Sequence, residues 1–244
     1  MSPADFDEIN ISREKANQSR KFRLRRYDVS TRILIVTIPT SIHEHLHGTL
    51  RNTLIAQFAQ RGLTESWSDI SSTTFRSLGH PRGNGGEGDS AGGPIPERIG
   101  TRGWPTLVIE AGDSESLSEL HVDMRWWFAI SDHQVKIVIL AKFDHAQHTI
   151  FLEKWEEVPL CAPRPGATTT RHAAALQPVR QQSITITQNA TTNPATYLVT
   201  SGPLVLSFRL LFLRAPGPLQ GDFVISVAEL EAYARQVWLS TLTV

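Results

Sequence analysis

Cysteine is nearly absent. The 244-residue chain has one, Cys161, so an intrachain disulfide and a thiolate zinc site are both excluded. Such a chain suits a reducing compartment, and a lone cysteine in a proline-rich stretch makes a poor nucleophile. Net charge is absent too: 24 Lys and Arg balance 24 Asp and Glu, so overall charge does not indicate a strongly basic nucleic-acid binder. No apolar run reaches the ~20 residues of a membrane span. The first ten residues are acidic, without the apolar stretch of a secretion signal. The expectation is an intracellular protein, cytoplasmic or nuclear, with no membrane partner.

At 40% hydrophobic and 20% charged, the chain can form a core without covalent help. Its charge is uneven locally. Arg13, Lys15, Arg20, Lys21, Arg23, Arg25, Arg26 and Arg32 face only Glu14 and Asp28 between Ile11 and Arg32. Residues 1–30 therefore read as a basic N-terminal arm, either a solvated tail or a segment for phosphate contact or nuclear targeting.

Residues 31–158 read as a core. A β-branched run at 32–38 ends at Pro39. Thr40 or Ser41 then offers a cap for a helix over 42–61, whose Ile42, Leu46, Leu50, Leu54 and Phe58 make an apolar stripe. Residues 66–78 suit an edge strand. Glycine and proline are too dense over 79–103 for regular structure to be expected. Its "GNGGEG" resembles a phosphate loop in composition alone, lacking the Lys-Ser/Thr pair.

A buried strand follows at 104–112, then a helix over 114–130 with Ser116 and Glu119 as a capping box. Trp127 is expected in the core and Trp126 at a surface or interface. Strands at 135–143 and 148–158 pair through the turn at 144–147. Residues 159–182 read as a Pro/Ala/Thr-rich connector. Residues 183–244 read as an extension, with strands at 183–187 and 203–213, a turn at 215–221, and a strand running into an amphipathic helix. The order implies α/β with a mixed sheet flanked by helices.

"HEHLH", residues 43–47, satisfies H-E-x-x-H through His43, Glu44 and His47. On a helix that spacing can hold a catalytic zinc with the glutamate as base. A zinc protease also needs a third ligand downstream, and Glu65 follows the helix stop at Gly62 too closely to supply it. Both histidines fall in the apolar sector of the helix, as ligands or core histidines would.

The carboxylates point elsewhere. Glu110 ends an apolar strand, and burying a carboxylate there is costly unless it is paired, protonated or bound to a cation. Glu115, Glu119 and Asp123 are spaced i, i+4, i+8 on one helix face, of which Glu115 and Glu119 read as solvated. Asp89 sits in "GEGDSAGGP". An acid there and one on a central strand some twenty residues on can together hold Mg²⁺, which takes oxygen ligands and activates a water.

This run of helix, strands, Asp89, "WPTLVIEAGDSES", helix with "DMRWW", and strand resembles the PD-(D/E)XK (restriction-endonuclease-like) fold over about residues 40–155. Within it, the chain is most similar to the Uma2-like branch and related uncharacterised fungal proteins. The resemblance implies a nuclease using Mg²⁺ or Mn²⁺, with Glu44 on the first helix joining Asp89 and Glu110 as metal ligands. It also implies a lysine two positions after the strand acid, where this chain has Gly112. Lys136 or Arg125 is expected to supply that charge, with nucleic acid held by the basic arm. Two alternatives stay open, a catalytically inactive fold serving binding or assembly and a fold reused for small-molecule chemistry, and a homo-oligomer is compatible with each.

Overall fold

The computed structural model describes residues 1–15, 22–70, 73–80, 82–98, 103–160 and 175–243. Cys161, Arg20, Lys21 and most of the expected connector lie outside them. In chain order the elements are α1 (Pro3–Lys15), β1 (Arg23–Asp28), β2 (Ile33–Thr37), α2 (Ser41–Gln60), β3 (Trp67–Ile70), β4 (Phe75–Arg76), β5 (Gly85–Gly86), β6 (Ser90–Pro94), β7 (Leu107–Gly112), α3 (Leu117–Ile130), β8 (Ile137–Asp144) and β9 (Thr149–Pro159). Then come β10 (Leu176–Asn189), β11 (Thr196–Thr200), β12 (Leu204–Leu206), α4 (Phe208–Phe212), β13 (Phe223–Ile225) and α5 (Val227–Leu239).

The main sheet runs β11-β10-β9-β8-β7-β6-β3. Its one parallel pair is β7 with β8, joined through α3, so the sheet is mixed. Alternation along these strands divides the core in two. Ile109, Ala111, Ile139 and Ala141 face the stripe of α2, together with α4 and α5. Val108, Val138 and Leu140 face α3 through Leu120, Met124, Trp127 and Phe128. Each fully buried Leu or Phe contributes about 1.5–3 kcal/mol relative to exposure. Among the described residues no helix is long and apolar enough to cross a membrane.

The α2 stripe is buried as its periodicity implied, and Thr40 caps the helix by accepting from His43 N–H at 3.1 Å. The Ser116–Glu119 capping box is present on α3. Strands β8 and β9 pair across the expected turn.

Four expectations need correction. Described residues of the expected arm form α1 and β1, and Phe6, Leu24 and Tyr27 are fully buried in a small core of their own. The 79–103 stretch contains β5 and the wholly buried β6. Its glycines permit close approach: a Cβ on Gly92 would lie 2.5 Å from the Trp67 ring, and one on Gly86 would lie 2.4 Å from the Arg25 carbonyl oxygen. Residues 176–182 belong to β10, which pairs along β9 up to Pro159. Residues 203–213 are not one strand. After β12 the chain turns into α4, where Asp222 accepts from Phe208 N–H at 2.9 Å.

The C-terminal segment covers α2. Tyr233 donates to the Leu46 carbonyl at 3.1 Å, and Gln57 donates to the Val224 carbonyl at 2.9 Å.

Candidate metal and acid site

The site lies where β7 ends, β6 begins and the first turn of α2 arrives. Glu110 points to the α3 face of β7, where the next strand residues of that face are apolar. It is 2% exposed, and Trp127 donates its indole N–H to Oε1. Burial and the nearby charges of Asp89 and Asp123 push the Glu110 carboxyl well above its usual value, against the pull of Arg25 and Trp127.

Asp89 immediately precedes β6, whose Ser90 pairs with Ile109. That register brings Asp89 beside Glu110. Its Oδ2 accepts from Ala111 N–H at 2.9 Å and lies 3.2 Å from His43 Nε2. Arg23 Nε stands 3.6 Å from Oδ1. Burial alone would raise the Asp89 carboxyl, but His43, His47 and Arg23 hold it below its ordinary range. Asp89 is therefore the ionised partner and Glu110 the acid under pressure to hold its proton or find a cation.

Glu44 does not complete this pair. Its Oε1 lies 3.1 Å from Arg23 Nη2, 3.4 Å from His47 Nε2 and 3.8 Å from His43 Nδ1. The facing rings of His43 and His47, with the charge of Arg23, bring its carboxyl far below the usual range. Among the described residues, the trio whose ligating atoms all lie within 4.8 Å of one another is His43, Glu44 and His47, not Glu44, Asp89 and Glu110. Both histidines are 2% exposed. Burial would lower the His43 ring, but Asp89 and Glu44 outweigh it and raise its pKa to about 10.

Neither proposed replacement for the motif lysine reaches the acids. Lys136 precedes β8, and its N–H bonds to the Thr106 carbonyl beyond the far end of β7. Its Nζ donates to the His133 carbonyl at 2.6 Å. Arg125 lies on the exposed side of α3, opposite the buried residues of that helix. The lysine beside Gly112 is Lys142, its register partner on β8. A Cβ on Gly112 would lie 3.3 Å from Lys142 Cδ. Lys142 Nζ donates to the carbonyls of Asp113 and Phe143 at 2.7 and 2.6 Å.

The expected arm also supplies the site with charge. Arg25 Nε donates to Asp123 Oδ2 at 2.7 Å, and Arg25 Nη1 lies 3.3 Å from Glu115. Arg26 reaches Asp123 at 3.1 Å. The acids of the α3 segment are thus not one solvated face. Glu119 caps the helix in solvent, Glu115 is ion-paired ahead of it, and Asp123 is 2% exposed among arginines. Trp127 is core, while Trp126 packs edge-on against it and covers Gly86.

Sequence reasoning passed over Ser90 and Lys142, read Arg23, Arg25 and Arg26 as part of an arm, and did not join Asp123 to Glu110. The alternation of "RLRR" was the one signal for the arginines, since strand-like spacing there argues against a free arm. Parallel pairing of β7 and β8 was required to find Lys142.

No known family profile matches the chain, and comparison with curated proteins gives no significant match.

Proposed function

We propose that the chain is a metal-dependent, nuclease-like hydrolase of phosphodiester bonds, built on the PD-(D/E)XK (restriction-endonuclease-like) plan. The observation that carries this reading is the adjacency of two buried carboxylates, Asp89 and Glu110, at the end of a central strand. The order of helix, strands, acid, strand acid, helix and strand supports it.

The donor set suits a hard cation. Both groups offer oxygen, and burial beside Asp89 and Asp123 disfavours the Glu110 carboxylate, so a bound cation is what would let it ionise. Asp89 and Glu110 would hold Mg²⁺ or Mn²⁺, which when bound polarises a phosphodiester and activates a water. The Ala111 and Trp127 N–H groups fix the orientation of the two carboxylates. Lys142, the register partner of Gly112, is the lysine whose release from the Asp113 and Phe143 carbonyls would bring positive charge to this strand end. Arg23, Arg25 and Arg26 are ion-paired with Glu44, Asp89, Glu115 and Asp123 and so offset the acidic charge gathered around the two carboxylates. The test is cleavage of DNA and RNA that requires the added cation and disappears in Glu110→Ala. Cation-independent cleavage, or none at all, removes the reading.

A second reading keeps the fold without the catalysis, as a binding or assembly module. It rests on Gly112 and on the ion pairs through which Arg25 and Arg26 already neutralise Asp123. Calorimetric Mg²⁺ or Mn²⁺ binding that is lost on Asp89→Ala would count against it.

A further inference from the structure

We infer that His43, Glu44 and His47 form a second metal site, selective for a nitrogen-preferring first-row transition metal such as Zn²⁺ or Co²⁺. Helical spacing of three and four residues puts the trio on one side of the first turns of α2. The ligating atoms lie within 4.8 Å of one another. Glu44 Oε1 and His47 Nε2 are 3.4 Å apart. Two ligands at about 2.0–2.1 Å from one tetrahedral ion stand about 3.4 Å apart.

The ring nitrogens are poised. His47 Nδ1 is held by the Ser90 hydroxyl at 2.8 Å, which leaves Nε2 turned to Glu44. His47 Nε2 and both nitrogens of His43 are buried and make no hydrogen bond of good geometry, with carboxylate oxygens of Glu44 and Asp89 standing 3.2 to 3.8 Å away. Such atoms normally find one. His43 Nδ1 faces Glu44, while its Nε2 lies 3.2 Å from Asp89. With Nδ1 on the ion, the Nε2 proton points to a carboxylate, the outer support that metal-bound histidines usually have. The rings meet edge to face at 70°, so neither covers the other's nitrogens.

Two imidazoles and one carboxylate suit Zn²⁺, Co²⁺ or Ni²⁺ better than Mg²⁺. The Glu44 side chain is 45% exposed, which gives the ion a route in and room for a water as fourth ligand. Arg23, 3.1 Å from Glu44, is the built-in competitor that an incoming ion displaces. The site touches Asp89 but does not use Glu110, so it does not depend on the hydrolytic reading. The glutamate serves here as a ligand, unlike the base of a zinc protease.

The test is titration of the chelator-stripped 244-residue chain with Co²⁺, followed by visible absorption, and with Zn²⁺, followed by calorimetry. One equivalent binds per chain, with Co²⁺ bands of tetrahedral intensity. His43→Gln and His47→Gln, checked for folding by circular dichroism, abolish the bands. Ser90→Ala, a milder change, weakens binding about tenfold. Arg23→Gln strengthens it. Glu110→Gln leaves it unchanged even if phosphodiester cleavage is lost. Absence of stoichiometric binding in the wild type, binding that survives in folded His47→Gln, or binding lost in Glu110→Gln overturns the inference.

Discussion

Gly112 and Lys142 stand side by side on the parallel strands β7 and β8. The glycine has no side chain, and a Cβ there would meet Leu120 Cδ1 at 2.8 Å and Lys142 Cδ at 3.3 Å. The two strands thus place a lysine next to the position where the resembled motif would carry one.

The exchange has a testable consequence. Lys142→Ala lowers cation-dependent cleavage by about 10²-fold if its charge serves the reaction. Gly112→Lys alone destabilises by about 1–3 kcal/mol, because its Cβ would meet Leu120 Cδ1 at 2.8 Å. Cleavage assays and urea melts of both variants, and of the pair combined, measure this. The double variant recovers activity relative to Lys142→Ala.

The N-terminal segment is structural. Arg13 and Glu87 form a buried ion pair, 2% and 1% exposed, and Thr74 and the Leu24 N–H also donate to Glu87. Glu87→Ala leaves a buried guanidinium unpaired and destabilises by about 3–5 kcal/mol, measured as a fall in the urea midpoint. Deleting residues 1–30 likewise lowers the melting temperature. An unchanged melt would restore the picture of a solvated arm.

Gly92 tests the reading of the glycine-rich stretch. Gly92→Ala puts a methyl 2.5 Å from the Trp67 ring and costs about 1–3 kcal/mol with a lowered melting temperature. In a free loop the same change would be near neutral.

Glu153 gives the protein an acid-sensitive contact. Burial would raise its carboxyl, but hydrogen bonds from His121, Arg180 and Trp155 bring it below its ordinary value near 4.5. A carboxyl held low in the fold adds stability above its unfolded pKa, and that stability is lost as pH falls through the lower, folded one. Melting temperatures from pH 7 to 3 should drop more steeply below 4.5 in wild type than in Glu153→Gln.

What could be read in the sequence followed from local rules. The stripe of α2, the capping box of α3 and the β8–β9 hairpin each needed only neighbouring residues. Glu110 was found because a carboxylate in an apolar strand stands out against its burial. β6 escaped notice because glycine density signals loops, whereas here the glycines make room for Trp67 and for neighbouring backbone, contacts set by distant elements. The same holds for the arginines. Their charge suggested a free arm, while Leu24 and Tyr27 between them anchor the strand that brings the arginines to Asp89 and Asp123. Glu44 was joined to Asp89 and Glu110 through the resemblance alone, which carries no information on the groups that capture it here, Arg23 and the two histidines.

The most direct measurement is single-turnover cleavage of single- and double-stranded DNA and of RNA by wild type, Asp89→Asn and Glu110→Ala, each with Mg²⁺, Mn²⁺ or chelator. Expected are cation-dependent cleavage by wild type and a loss of about 10²-fold or more in both variants. Equal rates in all three proteins, or no cleavage by wild type with either cation, would contradict a hydrolytic centre at Asp89 and Glu110.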